Sequence, residues 1–238
     1  MDRPMNLAFE LNHGEKNPKC FWAEDPVYST IRVGDFVGSV KEGGDVNYQR
    51  VSITPHGNGT HTECYGHISA DETAIITNTF NRYHFIAKLI SLPVKKLNGD
   101  DIVLYEGYLE ALGNTNPEAV IIRTLPNDDT KKLREYSGNN PPYIEAAITE
   151  HMVQNNILHL LLDLPSVDRE SDEGKLAAHH KFWNMGGEIR KDCTITELIY
   201  VPNHVKDGLY LLNLQVPNMA IDAVPSRPVI YELREENV

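Results

Sequence analysis

AVIIRT (residues 119–124), NNPPYIEAAITEHMVQNN (139–156) and ILHLLL (157–162) are the stretches that decide the fold class. The first and last are short apolar runs, the kind expected of strands buried on both faces. Between them Pro141 and Pro142 can open a helix, and Ile144, Ile148 and Met152 recur at i, i+4 and i+8 as one apolar stripe. Strand, helix and strand with short joints make a crossover unit, which pairs its two strands in parallel.

Working outward, His84 to Leu92 (HFIAKLISL) is a further strand. Asn47 to Pro55 alternates Tyr48, Arg50 and Ser52 against Gln49, Val51 and Ile53, and predicts a strand running into a loop. Gly208 to Val216 and Pro228 to Leu233 supply late strands, while the stretch before Gly44 is rich in turn residues. The expected class is α/β: a strand-rich mixed sheet with few helices, as one domain over residues 1–238.

Charge narrows the function. With 22 Lys+Arg against 34 Asp+Glu the formal net charge is −12. Nucleic-acid backbones and anionic membranes are bound by clustered Lys and Arg, so neither is an expected partner. No apolar run approaches the roughly 20 residues that span a bilayer, and the N-terminus lacks a secretory apolar core. Cys20, Cys64 and Cys193 are widely spaced with no C-x-x-C pair, which argues against a disulfide framework or a thiolate zinc module. A cytoplasmic protein is expected.

The chemistry concentrates in His56-Gly57-Asn58-Gly59-Thr60-His61-Thr62-Glu63-Cys64-Tyr65-Gly66-His67. Side chains two apart on an extended backbone share a face, so His61 and Glu63 can address one ion. Gly57 and Gly59 allow a tight turn that brings His56 back to the same point. Imidazole with carboxylate suits Zn²⁺, Mn²⁺ or Fe²⁺. Spacing alone leaves a polar histidine loop and a metal site both open.

These residues resemble the cyclase-like metal-dependent hydrolases, the group of kynurenine formamidase and isatin hydrolase, whose signature runs H-x-G-T-H-x-D-x-P-x-H. A second stretch, LLLDLPSVDRESDEGKLAAHHKFW (160–183), is similar to the family's I-D-T-P-S-V-D followed by A-H-H, and Thr196-Glu197-Leu198 resembles its late glutamate motif. The resemblance runs from about residue 5 to 233. It implies a swivelling β/β/α fold, one or two divalent ions with zinc ahead of manganese, a small-molecule substrate, and a homo-oligomer (dimer or tetramer). By the same resemblance His56, His61 and Glu63 hold one ion, Glu63, His179 and Glu197 a second, and His67 is the general acid/base. The implied reaction is cleavage of a carbon–nitrogen bond in an amide, formamide or lactam by metal-activated hydroxide.

The chain departs from the family pattern in several places. One extra residue separates His56 from His61, Glu63 replaces aspartate, and Cys64-Tyr65 replaces Ala-Pro. WNMGGEIRKD (183–192) lengthens the path from His179 to Glu197. These changes motivate two alternatives: a non-catalytic binding protein on the same scaffold, or a hydrolase using Cys64 as nucleophile. Asp163 and Asp168 are candidate orienters of His179, and equally plain turn caps. His180 reads as solvated or as a support behind the ligands, His159 as a core histidine, His84 as a wall residue, and Phe21-Trp22 as packing, with the aromatic substrate contact that the resemblance implies as the lesser reading.

Overall fold

The computed structural model describes residues 4–233, so the outer limits of the expected 1–238 domain lie outside the described residues. Its main sheet carries β1 (Met5–Asn6), β2 (His61–Glu63), β3 (His84–Leu97), β4 (Ala119–Leu125), β5 (His159–Leu162), β6 (Thr194–Glu197), β7 (Gly208–Asn213), β8 (Ala223–Pro225) and β9 (Val229–Glu232). They lie side by side as β1-β9-β7-β3-β4-β5-β6-β2-β8. The four central strands β3, β4, β5 and β6 are mutually parallel, and every pairing outside them on this path is antiparallel.

The parallel centre follows from the crossover read in the sequence. β4 and β5 pair in register from Ala119↔His159 to Ile122↔Leu162, with α3 (Ala146–Gln154) between them, α1 being the single turn Ile76–Thr79 ahead of β3. Two more crossovers flank it: α2 (Tyr105–Leu112) joins β3 to β4, and α4 (Ala177–Phe182) joins β5 to β6. Neither helix announces itself in the sequence. α4 has six residues and starts from Leu176 in a left-handed conformation (φ 42°), too short for a periodic signal.

Alternation along the central strands divides the core. Val120, Ile122, Leu160 and Leu162 pack with Tyr108, Ile148, Met152 and Phe182 of the three helices. Ile121 and Leu161 point the other way, to Phe85, Leu89, Leu212 and Ile230. Ala8 bridges Ile199, just beyond β6, so the curled sheet brings its N-terminal edge back to its middle.

Two expectations need adjusting. The helix begins at Ala146, not at the prolines, and Tyr143–Ile144 is a two-residue strand parallel to Asp100–Val103. The Ile144 and Glu145 N–H groups donate to the Val167 and Val103 carbonyls at 3.2 and 3.1 Å, which holds this backbone extended until Ala146. Ile144 still joins Ile148 and Met152 in one buried cluster. Of Asn47–Pro55, Gln49–Ser52 is a strand, but all four residues are exposed, and they pair only with Val27–Thr30. The alternation there has no core face within the chain.

Candidate functional site

β2 is held between β6 and β8. It opposes β6 in the register Glu63↔Ile195 and His61↔Glu197, and β8 in the register Glu63↔Ala223. Opposite residues of an antiparallel pair share a face, so Glu197 stands beside His61, and Glu63 projects with them. The His61 Nε2 lies 3.3 Å from Glu197 Oε2.

His56 arrives from the tight turn Pro55–Gly57. Asn58 Oδ1 accepts the Thr54 N–H at 2.7 Å and closes that turn. Gly59 then runs at φ +104°, a backbone conformation that favours glycine over any residue with a Cβ. From this turn His56 Nδ1 reaches to 3.3 Å from Glu63 Oε2.

His179 comes from α4. The amides of Ala178 and His179 donate to Asp168 at 2.8 and 3.0 Å, which fixes the start of the helix on the loop after β5. Its Nε2 lies 3.3 Å from Glu63 Oε1 and 3.9 Å from Glu197 Oε1. Glu63, one methylene longer than aspartate, thus spans from His56 to His179. Trp183, first residue of the lengthened stretch, is buried and stacks on His179 with ring centroids 5.7 Å apart.

The outer nitrogens of three imidazoles are anchored. His61 Nδ1 is 2.9 Å from the Gly59 carbonyl, His179 Nδ1 is 2.7 Å from Asp168 Oδ2, and His56 Nε2 is 2.9 Å from Asp222 Oδ2. Carbonyls and carboxylates only accept, so each outer nitrogen carries the proton. In the neutral ring each inner nitrogen then carries the lone pair and turns it to the centre. His61 Nε2, His179 Nε2 and both Glu63 oxygens are buried with no hydrogen-bond partner. Orphaned buried atoms of this kind carry a large desolvation cost unless something binds them.

The local field has one sign. Burial opposes charge on His179, but Asp168 and Glu63 outweigh it and hold its pKa up at about 10. Burial likewise opposes charge on His56, and Asp222 with Glu63 raises it to about 10. Burial works against the Glu63 carboxylate as well, yet His67, His179 and His56 hold its pKa well below the usual range. A site that draws protons onto imidazoles this strongly is suited to a cation. Two compact sets offer three ligand atoms within 4.8 Å of one another and share Glu63: His56, His61 and Glu63, and Glu63, His67 and His179. Glu197 stands against His61 and His179, and its Oε1 also accepts the Val167 N–H at 3.2 Å.

His67 is exposed at the mouth, its Nδ1 3.8 Å from Glu63 Oε2 and 3.7 Å from Asp222 Oδ2. Asp168 both orients the His179 ring and caps the backbone ahead of it. Asp163 does not: it accepts the Thr124 N–H and pairs with Lys131 at 2.8 Å. Cys64 is fully buried against the Ala74 carbonyl, and burial pushes its thiol pKa up, leaving no face open to a substrate. His159 is a satisfied core residue bonded to Thr194, His84 bonds Asn213, and His180 is exposed. The Trp22 side chain is 73% exposed, so it is not core packing. Asp222 is the member that the sequence did not disclose, since only the pairing of β8 with β2 brings it here.

The Cyclase family model, described as "Putative cyclase", matches residues 6–169. The chain belongs to the cyclase family. Kynurenine formamidase from Bacillus cytotoxicus is 26% identical over 194 residues, covering 81% of this chain and 84% of that protein. A Bacillus stearothermophilus structure described as a predicted metal-dependent hydrolase superposes with a TM-score of 0.66 at 16% identity, over 96% of this chain and 97% of the other. Isatin hydrolase A from Labrenzia aggregata, solved with benzyl benzoate, gives 0.66 at 14% identity, over 96% and 93% of the two chains. The strand-rich α/β fold of this cyclase-family chain is the one its sequence implies.

Proposed function

We propose that this cyclase-family protein is a metal-dependent hydrolase that cleaves the carbon–nitrogen bond of a small amide, formamide or lactam. The observation that carries the reading is the set of buried, unpartnered ligand atoms on His61, His179 and Glu63, turned towards one another. The names borne by the relatives, kynurenine formamidase and isatin hydrolase, support the bond class. His56, His61, Glu63, His179 and Glu197 would hold one ion or two, zinc first on the imidazole-rich donor set and manganese next. A divalent cation there supplies a Lewis acid that polarises a carbonyl and lowers the pKa of water from 15.7 towards about 7.

The chain's own part is positioning and proton transfer. Asp168 and the Gly59 carbonyl keep the outer nitrogens of His179 and His61 protonated, so the inner lone pairs stay available. His67, exposed and free of any anchoring hydrogen bond among the described residues, accepts a proton from the attacking water. It returns that proton to nitrogen as the new C–O bond forms and the C–N bond breaks. Three free, buried cysteines support a cytoplasmic setting.

The test is direct. Chelation should abolish hydrolysis of an aryl formamide and of a lactam such as isatin, and added zinc or manganese should restore it. His61→Ala should lower kcat/KM beyond the 10–100-fold typical of outer-layer changes. Full activity in protein shown by elemental analysis to be metal-free would overturn the reading. Binding without turnover in metal-replete protein would instead make this a non-catalytic relative.

The reading includes a homo-oligomer, dimer or tetramer. It is supported by the ribbon of Val27–Thr30 and Gln49–Ser52, which shows exposed apolar side chains and pairs with no strand of the main sheet.

A further inference from the structure

Asp222 lies in IDAV (221–224), where nothing nearby marks it as functional. Its position is nonetheless fixed by backbone. Ala223 opposes Glu63 across the β8–β2 pairing, the Cys64 N–H donates to the Asp222 carbonyl at 3.0 Å, and the Ile76 N–H donates to the Ile221 carbonyl at 2.9 Å. The carboxylate is therefore delivered to the site by strand register, alongside the residue that follows Glu63.

Its side chain meets His56 on the side away from the centre. Asp222 Oδ2 is 2.9 Å from Nε2, while Nδ1 of the same ring faces Glu63 at 3.3 Å. The other two inward-turned histidines are anchored by partners close in sequence: His61 by Gly59, and His179 by Asp168. His56 differs in two ways. It sits on the turn after Thr54, and its side chain is 26% exposed where those of His61 and His179 are buried. It also presents Nδ1 inward where His61 and His179 present Nε2. Without an acceptor on Nε2, nothing in the turn itself keeps that ring facing in.

We infer that Asp222 is the positioning residue for His56: it accepts the Nε2–H, fixes the ring's orientation and tautomer, and so makes His56 a competent ligand despite the extra residue. The inference rests on the metal-site reading above. Carboxylate partners of ligating histidines typically contribute 10–100-fold in metal affinity. Asp222 Oδ2 also lies 3.7 Å from His67 Nδ1, but among the described residues its one hydrogen bond to a histidine is to His56, and that gives the claim its sharp form.

The experiment measures the zinc dissociation constant by chelator competition for wild type, Asp222→Ala, Asp222→Asn, His56→Ala and the double variant His56→Ala/Asp222→Ala. Thermal midpoints are read on the same samples. Asp222→Ala should weaken zinc binding about 10–100-fold while remaining folded. Asp222→Asn, which keeps an acceptor oxygen, should recover part of that loss. In the His56→Ala background, removing Asp222 should change zinc affinity less than about twofold, because the interaction is already gone. Unchanged affinity in Asp222→Ala would overturn the inference, and so would an equal loss in both backgrounds, which marks a general structural role. A wild-type protein that binds no zinc, manganese or other divalent ion would instead bring down the metal reading itself.

Discussion

His159 shows how differently one residue type is used within a single chain. At the start of β5 its ring packs against Phe85 and Phe80, with centroids 4.1 and 5.6 Å away, and its Nδ1 bonds Thr194. Burial, then the positive charges of Arg82 and Arg190, push its pKa down to about 3. The folded chain thus keeps this imidazole neutral, whereas the unfolded chain protonates it near pH 6.5. Above that pH the residue gives no pH dependence. Between about pH 6.5 and 3 the unfolded state holds the extra proton, so stability falls as the pH falls, by about 1.4 kcal/mol per unit for one proton. Urea unfolding across pH 6.5 to 4.5 should therefore show a shallower loss for His159→Gln than for wild type, and identical slopes would refute the assignment. His179 is the opposite case, because two carboxylates raise its pKa despite equal burial. An apolar strand context was enough to predict His159, and the company of Glu63 and His61 was enough to mark the cluster. Asp222 lay beyond reach because its partners are more than 150 residues away in sequence.

At the scale of elements, the buried pair Lys131–Asp163 ties three pieces together. Lys131 Nζ reaches Asp163 Oδ2 at 2.8 Å at the end of β5, the Thr124 carbonyl at 2.8 Å in β4, and Asn127 Oδ1 at 3.2 Å in the loop between. Breaking such a pair strands the remaining charge, at a cost of about 3–5 kcal/mol. Lys131→Met should lower denaturant stability by that amount, and Lys131→Met/Asp163→Asn should regain a good part of it. A single variant within 1 kcal/mol of wild type would show the pair to be dispensable. The sequence showed the strands on either side but not this tie, since a lysine in a polar loop looks solvated. The same limit hid α2 and α4. Gly107 interrupts one and the other spans six residues, so neither presents a sustained apolar stripe, and each is helical because the parallel strands beside it require cover. Period-2 runs survive such brevity better than period-3.6 runs, which explains why the sheet was the more legible half of the fold.

At the scale of the molecule, the ribbon formed by Val27–Thr30 and Gln49–Ser52, extended by the hairpin of Arg32–Val33 with Phe36–Val37, raises a question of cover. Val27, Val33, Phe36, Val46, Tyr48 and Val51 are all exposed, between 42% and 70% of their full area. A two-stranded ribbon is marginal alone in water, and a concentration of exposed apolar side chains marks an interaction surface. The alternation of Asn47–Pro55 reads in sequence as a strand with a buried face, and a second copy of the chain would provide the face that the first copy lacks. On this reading light scattering gives two or four chains per particle for the wild type. Val33→Glu/Val51→Glu should yield folded monomers, because changes at positions exposed in the protomer cost it no more than about 0.5 kcal/mol each. Circular dichroism then separates loss of assembly from loss of fold. A wild type that elutes as a monomer, or a double variant that keeps its assembly, would show that the ribbon stands free of any second copy.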